Sequence, residues 1–449
     1  MSHFASTRYK LYAMFILCCL IIGMNNIYYY EASNIKAHTV SLVRKHNEPS
    51  KQNKIHLIYS VGCGGGSSYK LQLIEAMVLD YSWAKKKQPG NLTRIVSGCV
   101  HDKERREMMS RTSLTAKYDL ERFNVWFTEK NDSLPDGTRY VMFNRPTALV
   151  KFFQTEATAD DTVYGVLDPD FLFLNPIPSH LVDMVREKKA VAGYYGLGPR
   201  WTKWGYELCM EKFPNRLDCA KYTTVDSSVS RTSFEAGAPY LMLRSDWQEL
   251  LPLWLTVMPP TYERYYNGME SDMYAYIIAS FAIGLEHHLD RSLMRTCMRG
   301  DSTSVGPDNT FIHYCQRFTM YETRGPKYQF NDVKEFLPHA RPEKMLSKFT
   351  FTFSKYWIQP RNKQKWAIEC EAPLLVEPPE LTDKEFAIVD SSIAYHSFVL
   401  HKLISGFNDA ILAYKRKHCL LETVNDSKQM YLHEAHRKVN YQLFSLVEV

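Results

Sequence analysis

The sequence predicts an α/β domain, with helices layered on a mostly parallel central sheet and a helical extension at its C-terminal end. Short apolar runs alternate with stretches of helical spacing from Ile55 to about Leu285, and parallel strands need covering crossovers of that kind. Two of the runs end in residues suited to a ligand: the glycines within Gly62–Gly66 and the aspartates Asp168 and Asp170. Past "EAPLLVEPPE" strand signals almost vanish and long helical spacing takes over.

The elements follow in order. "IHLIYSV" reads as a buried strand, and "YKLQLIEAMVLDYSWAKKK" as a helix with Leu71, Ile74, Met77 and Val78 at helical spacing. "LTRIVSGCV", "TVYGVLDPDFLFL" and "KAVAGYYG" are further strands, while "SDWQELLPLWLTVM" and "SDMYAYIIASFAIGL" are helices. "EHH" at Glu286–His288 reads as a surface helix end, because adjacent histidines cannot point the same way on a helix. "SSIAYHSFVLHKLISGFNDAILAYKRKH" is one long helix in the tail, residues 381–449, which packs on the domain or mediates association.

The net charge of +6 over 449 residues is mild and spread out, unlike the dense basic stripe of a nucleic-acid binder. "LYAMFILCCLIIGM" is uncharged, follows Arg8 and Lys10, and reaches spanning length with the tyrosines of "IYYY". The expected order is a cytosolic tail (1–10), a signal anchor (11–30), a polar stem (31–54) and a lumenal domain from 55. A cleaved signal peptide also fits the apolar length, but bulky residues follow it rather than a cleavage site. Eight cysteines lie outside the span and none forms a CxxC pair, which suits disulfides rather than a zinc cluster. Cys209 and Cys219 are expected to pair because they are close in sequence. Sequons at Asn91, Asn131 and Asn425 agree with a lumenal address.

The glycine cluster leaves three readings open. "GCGGG", with Gly62, Gly64 and Gly65, suits an S-adenosylmethionine loop of a methyltransferase. It also suits a degenerate dinucleotide loop with Asp80 as the ribose acid, or a first strand–loop–helix unit that approaches a nucleotide sugar. A turn without ligand is the plain alternative. "VYGVLDPDFLFL" is sharper. Two carboxylates two residues apart at a strand end suit a hard divalent ion, and half-buried acids need such compensation. His313, in apolar "NTFIHYCQRF", completes a metal shell or is a hydrogen-bonded core histidine. Glu270 and Asp272 cap an apolar helix or reach a cleft to act on substrate. The aromatic stretch Gly193–Leu208 and the tyrosines around Tyr265 suit an acceptor-binding loop and ordinary packing equally.

Several stretches, in this order, carry a resemblance: "IHLIYSVGC…YKLQ", "QPGNLTRIVSGC", "NRPTALVKFF", "VYGVLDPDFLF", "AGAPYLMLRSDWQELLPLW", "SDMYAYIIASFAIGLEHHL", "FIHYCQRF" and "CEAPLLVEPP". From about Ile55 to Pro379 the chain resembles the hydroxyproline O-arabinosyltransferase and peptidyl serine α-galactosyltransferase group of Golgi glycosyltransferases. The resemblance implies a type II membrane enzyme of the Golgi or ER with a GT-A-like domain over 55–380. It implies transfer from a UDP-sugar, with Mn²⁺ or Mg²⁺, to a polypeptide hydroxyl, with retention at the anomeric carbon. It places the metal ligands on Asp168, Asp170 and His313 and the catalytic acid on Asp272, with Glu270 beside it. Donor contacts fall on Gln72 and on Asn144 and Arg145 of the Asn-x-Pro stretch, and the loop of Gly62, Gly64 and Gly65 lines the nucleotide. Leu71 stands where the family carries tryptophan, and the first loop is richer in glycine. The readings outside this group are the methyltransferase and a catalytically inactive GT-A-like scaffold.

Overall fold

Seven strands form the central sheet in the computed structural model: β1 (Ile55–Gly62), β2 (Asn91–Ser97), β3 (Phe123–Thr128), β4 (Val163–Leu167), β6 (Lys189–Tyr194), β7 (Ala236–Leu243) and β8 (Glu286–Asp290). Their order is β3-β2-β1-β4-β7-β6-β8. Only β7 runs against its neighbours, β4 and β6; every other pairing in the sheet is parallel. The structure describes residues 55–63, 68–111, 114, 116–155, 161–197, 202–221, 233–265, 268, 270–295, 308–315, 318–319, 352–353, 355, 366–375, 377 and 391–429. The expected anchor and stem, Gly64 and Gly65 lie outside them. No helix among the described residues is long and apolar enough to cross a membrane.

β1 and β4 sit at the centre with strands on both sides, so they read as nearly continuous apolar runs. The helices of twelve residues or more are α1 (Ser68–Lys85), α2 (Asn144–Thr155), α3 (Arg244–Arg264), α4 (Ser271–Ala282) and α5 (Ser391–His418). α1 buries more than the predicted stripe. Leu73, Ala76 and Leu79 are fully buried beside Ile74 and Val78, because α5 covers the side that would otherwise face water. Leu400, Leu403, Phe407 and Ile411 of α5 join the main core. Gly406 allows the close approach: a Cβ there would lie 2.7 Å from a methyl of Leu172.

Two readings need correction. "TVYGVLDPDFLFL" is not one strand: β4 stops at Leu167, and β5 (Phe171–Phe173) joins another sheet with β9 (Met294–Arg295) and β10 (Phe311–His313). The break falls on Asp168-Pro169-Asp170, where proline has no N–H for a ladder. "EHH" is not a helix end but the start of β8, where alternation buries His287 and leaves Glu286 and His288 exposed.

Three disulfides are present among the described residues. Cys209–Cys219 is the predicted one; Cys63–Cys99 ties the ends of β1 and β2, and Cys370–Cys419 ties the end of α5 to the Leu374 region.

Candidate functional site

The carboxyl ends of β1 and β4 face the loops that carry most of the predicted site residues, as open parallel sheets arrange them. Asp168 and Asp170 lie just beyond β4. β10 pairs antiparallel with β5 and sets His313 opposite Phe171. The Tyr314 N–H donates to the Asp170 carbonyl at 3.0 Å and locks this register. His313 Nε2 therefore sits 3.6 Å from Asp168 Oδ2 and 3.3 Å from Asp170 Oδ1. All three side chains are buried, and one ligand-type atom from each lies within 4.8 Å of the others.

Arg145, in the first turn of α2, bonds Asp168 and also reaches Asp272 Oδ2 at 3.4 Å. Asp272 is thus turned inward from the start of α4, whereas Glu270 precedes that helix, is half-buried and makes no side-chain cap bond. The Asn144 Oδ1 accepts the Asn131 N–H at 3.0 Å, so its oxygen steadies the loop after β3. Gln72 accepts the Gly62 N–H at 3.3 Å and donates to Glu75 Oε2 at 2.6 Å. A Cβ on Gly62 would meet nothing within 4 Å, so open space rather than crowding surrounds it.

Two site members carry no signal in the motifs. Lys355 follows β12 (Thr352–Phe353), which pairs with β11 (Phe318–Thr319) just past His313. Its ammonium lies 2.7 Å from Asp170 Oδ2 and 2.8 Å from Glu75 Oε1. Glu75 stands three residues after Gln72 on a helix whose spacing is otherwise apolar, and that acid in an apolar face was the available clue. Lys355 is the lone charge in the aromatic stretch "FTFTFSKYWI", and no motif spacing ties it to the acids.

Four carboxylates, Glu75, Asp168, Asp170 and Asp272, thus meet two permanent cations, Arg145 and Lys355. Burial pushes Glu75 up to about 7 against the pull of Lys355. Burial likewise raises Asp272 to about 6, with Arg145 opposing. Burial disfavours the Asp170 charge too, but His313 and Lys355 hold that carboxyl well below its usual range. For His313, burial favours the neutral ring, yet Cys315 and Asp170 hold the imidazole well above its usual value. The excess of acid and the oxygen–oxygen–imidazole donor set fit a divalent cation.

Other predicted residues are spent elsewhere. Asp80 is fully buried, accepts the Tyr59 hydroxyl at 2.6 Å and pairs with Arg94, which removes it from any ribose. Tyr206 packs on Phe281 at 4.7 Å between ring centroids; Tyr195, by contrast, stays beside the site, 5.8 Å from the His313 ring. Tyr265 packs against Tyr274 at 4.5 Å.

No family profile matches the chain. It is 25% identical over 225 residues to the hydroxyproline O-arabinosyltransferase NOD3 of Pisum sativum, 48% of this chain and 58% of that protein. It is 26% and 27% identical over 173 residues to the hydroxyproline O-arabinosyltransferases RDN1 of Medicago truncatula and PLENTY of Lotus japonicus. The chain is similar to hydroxyproline O-arabinosyltransferases. Those two matches cover 36% of this chain and 43% and 42% of the relatives, so the chain spans about half the length of the curated proteins it matches. Among solved structures, galactosyltransferase LgtC in complex with donor and acceptor sugar analogs aligns over 60% of this chain and 90% of its own, with 12% identity and a TM-score of 0.35.

Proposed function

We propose that the protein is a glycosyltransferase of GT-A-like architecture that moves a sugar, galactose or arabinose, from a UDP-sugar to a serine or hydroxyproline hydroxyl of a polypeptide. The observation that carries this reading is the convergence of Asp168, Asp170 and His313 beyond β4. The similarity to named arabinosyltransferases supports the substrate class.

Asp168, Asp170 and His313 would hold Mn²⁺ or Mg²⁺, whose charge offsets that of a departing diphosphate. The bond from the anomeric carbon to the diphosphate oxygen breaks, a bond to the acceptor oxygen forms, and the acceptor proton is released. Arg145 orients Asp168 and adds positive charge on the leaving-group side. Asp272, across Arg145, faces the developing positive charge of the sugar, and its buried setting strengthens that attraction. Gln72 and Gly62 shape the nucleotide end, and the outcome is retention. The paired cysteines support a lumenal address in the Golgi or ER, with residues 11–30 as the anchor.

The test measures UDP release by the full chain from UDP-arabinose and UDP-galactose, with a hydroxyproline- and serine-bearing peptide. Release with manganese, lost with a chelator, is the expected result. Chelator-insensitive release removes the metal role, and methyl transfer from S-adenosylmethionine replaces the reading. Protease protection of sealed microsomes tests the address: a cleaved catalytic domain would place it on the cytosolic side.

A further inference from the structure

We propose that Glu75 and Lys355 form one positioning unit for the cation site: Glu75 holds the Lys355 ammonium against the outer oxygen of Asp170, so that the inner oxygen stays turned toward His313 and the ion. This inference rests on reading Asp168, Asp170 and His313 as that site. It concerns two residues that touch none of the reacting groups.

The geometry divides the work of the Asp170 carboxylate. Oδ2 takes Lys355 at 2.7 Å, while Oδ1 lies 3.3 Å from His313 Nε2. A carboxylate gripped by one oxygen cannot swing, and its free oxygen keeps a fixed direction. Lys355 is itself gripped from behind by Glu75 Oε1 at 2.8 Å. Glu75 is held in turn, since its Oε2 accepts from Gln72 and Gln72 accepts from the Gly62 N–H. The order of contacts runs from the end of β1, through α1, to a lysine from beyond β12, and ends on the acid after β4.

The cost of the arrangement argues for a use. Glu75 is fully buried in a helix that packs mostly apolar residues, and a buried carboxylate is expensive unless a cation meets it. An apolar side chain would fill that place more stably. Lys355 likewise sits with its side chain mostly buried between two acids. Removing Lys355 leaves the Glu75 charge buried without its cation, and removing Glu75 leaves Lys355 held by Asp170 alone, so the two are expected to fail together rather than additively. Groups that orient metal ligands set affinity by a factor of about 10–100.

Manganese titration by calorimetry on the full chain tests this, with melting midpoints recorded alongside. Glu75→Gln and Lys355→Met are each expected to weaken binding about 10–100-fold. Lys355→Arg, which keeps the charge, stays closer to the parent protein than Lys355→Met. The double variant Glu75→Gln/Lys355→Met leaves no orphan charge, so it reports on affinity even if a single change unfolds the protein, and it is expected to bind no more weakly than the poorer single variant. Unchanged affinity in the variants overturns the inference while leaving the cation site standing. Tighter binding also overturns it, because it shows that Lys355 occupies the ion's place instead of arranging it. A parent protein that takes up no manganese overturns the site itself and this inference with it.

Discussion

Helix α1 carries two buried acids five residues apart, and they have opposite fates. Asp80 meets Arg94 and the Tyr59 hydroxyl, all fully buried, and one further Arg94 nitrogen donates to the Met108 carbonyl. That network is closed: one acid, one permanent cation, and hydroxyl and carbonyl groups to satisfy the rest. Glu75 belongs instead to a group in which acids outnumber permanent cations. A closed network stabilises position and nothing more. An open one has surplus charge that only a ligand, proton or ion can satisfy, and this is how a site differs from a staple.

The sharpest way to break the comparison is Arg94→Met. It strands Asp80 in the core, and a loss of about 3–5 kcal/mol is expected, read as a lower urea midpoint. An unchanged midpoint would mean that Asp80 does not depend on Arg94 for its charge. Asp168→Asn makes the opposite prediction. The midpoint stays near that of the parent protein while UDP release falls about 10²–10³-fold, several kcal/mol in the transition state. Full activity in that variant removes Asp168 from the cation site.

pH sharpens the contrast further. His56 donates to or accepts from Thr93 at 2.7 Å, and His287 pairs likewise with the Tyr276 hydroxyl at 3.0 Å. Burial lowers both to about 4. Their unfolded values lie near 6.5, so the unfolded chain binds more protons between those limits. Their contribution is present above pH 6.5 and is lost as pH falls toward 4, on the order of 1–3 kcal/mol. His287→Gln should flatten that acid limb of the urea midpoint. Glu75 and Asp272 act in the other direction. Their folded values, about 7 and about 6, lie above the unfolded ones, so their contribution is lost as pH rises through 6 and 7. Above pH 6.5, where the histidine contribution is complete, chelated protein should therefore weaken toward pH 8, and manganese should restore it; no restoration would count against the open network. The smallest effect belongs to Gln72→Leu, which unties the Gly62 N–H and one oxygen of Glu75. A cost of about 1 kcal/mol is expected in the melting midpoint.

Much of this was legible one residue type at a time. The helix at Ser391–His418 matches its quoted span, the disulfide of Cys209 and Cys219 followed from nearness, and Asp168 and Asp170 stood out at the end of an apolar run. β3, β7 and β8 were not read as strands. β3 is half-exposed at the sheet edge, β7 starts through small residues and proline, and β8 reads as polar.

Periodicity and local composition are properties of neighbours along the chain. They determined which segments are strands and helices and where acids accumulate, because backbone hydrogen bonding and apolar burial act over a few residues. Which charges face one another is decided across hundreds of residues. The sequence determined that Glu75 is an acid in an apolar helix; only the tertiary structure gave it Lys355 as a partner. It likewise made His313 a candidate ligand, and only the β5–β10 pairing brought the ring to the two aspartates. Electrostatic interactions depend on distance in space and on burial, and neither can be read from order along the chain.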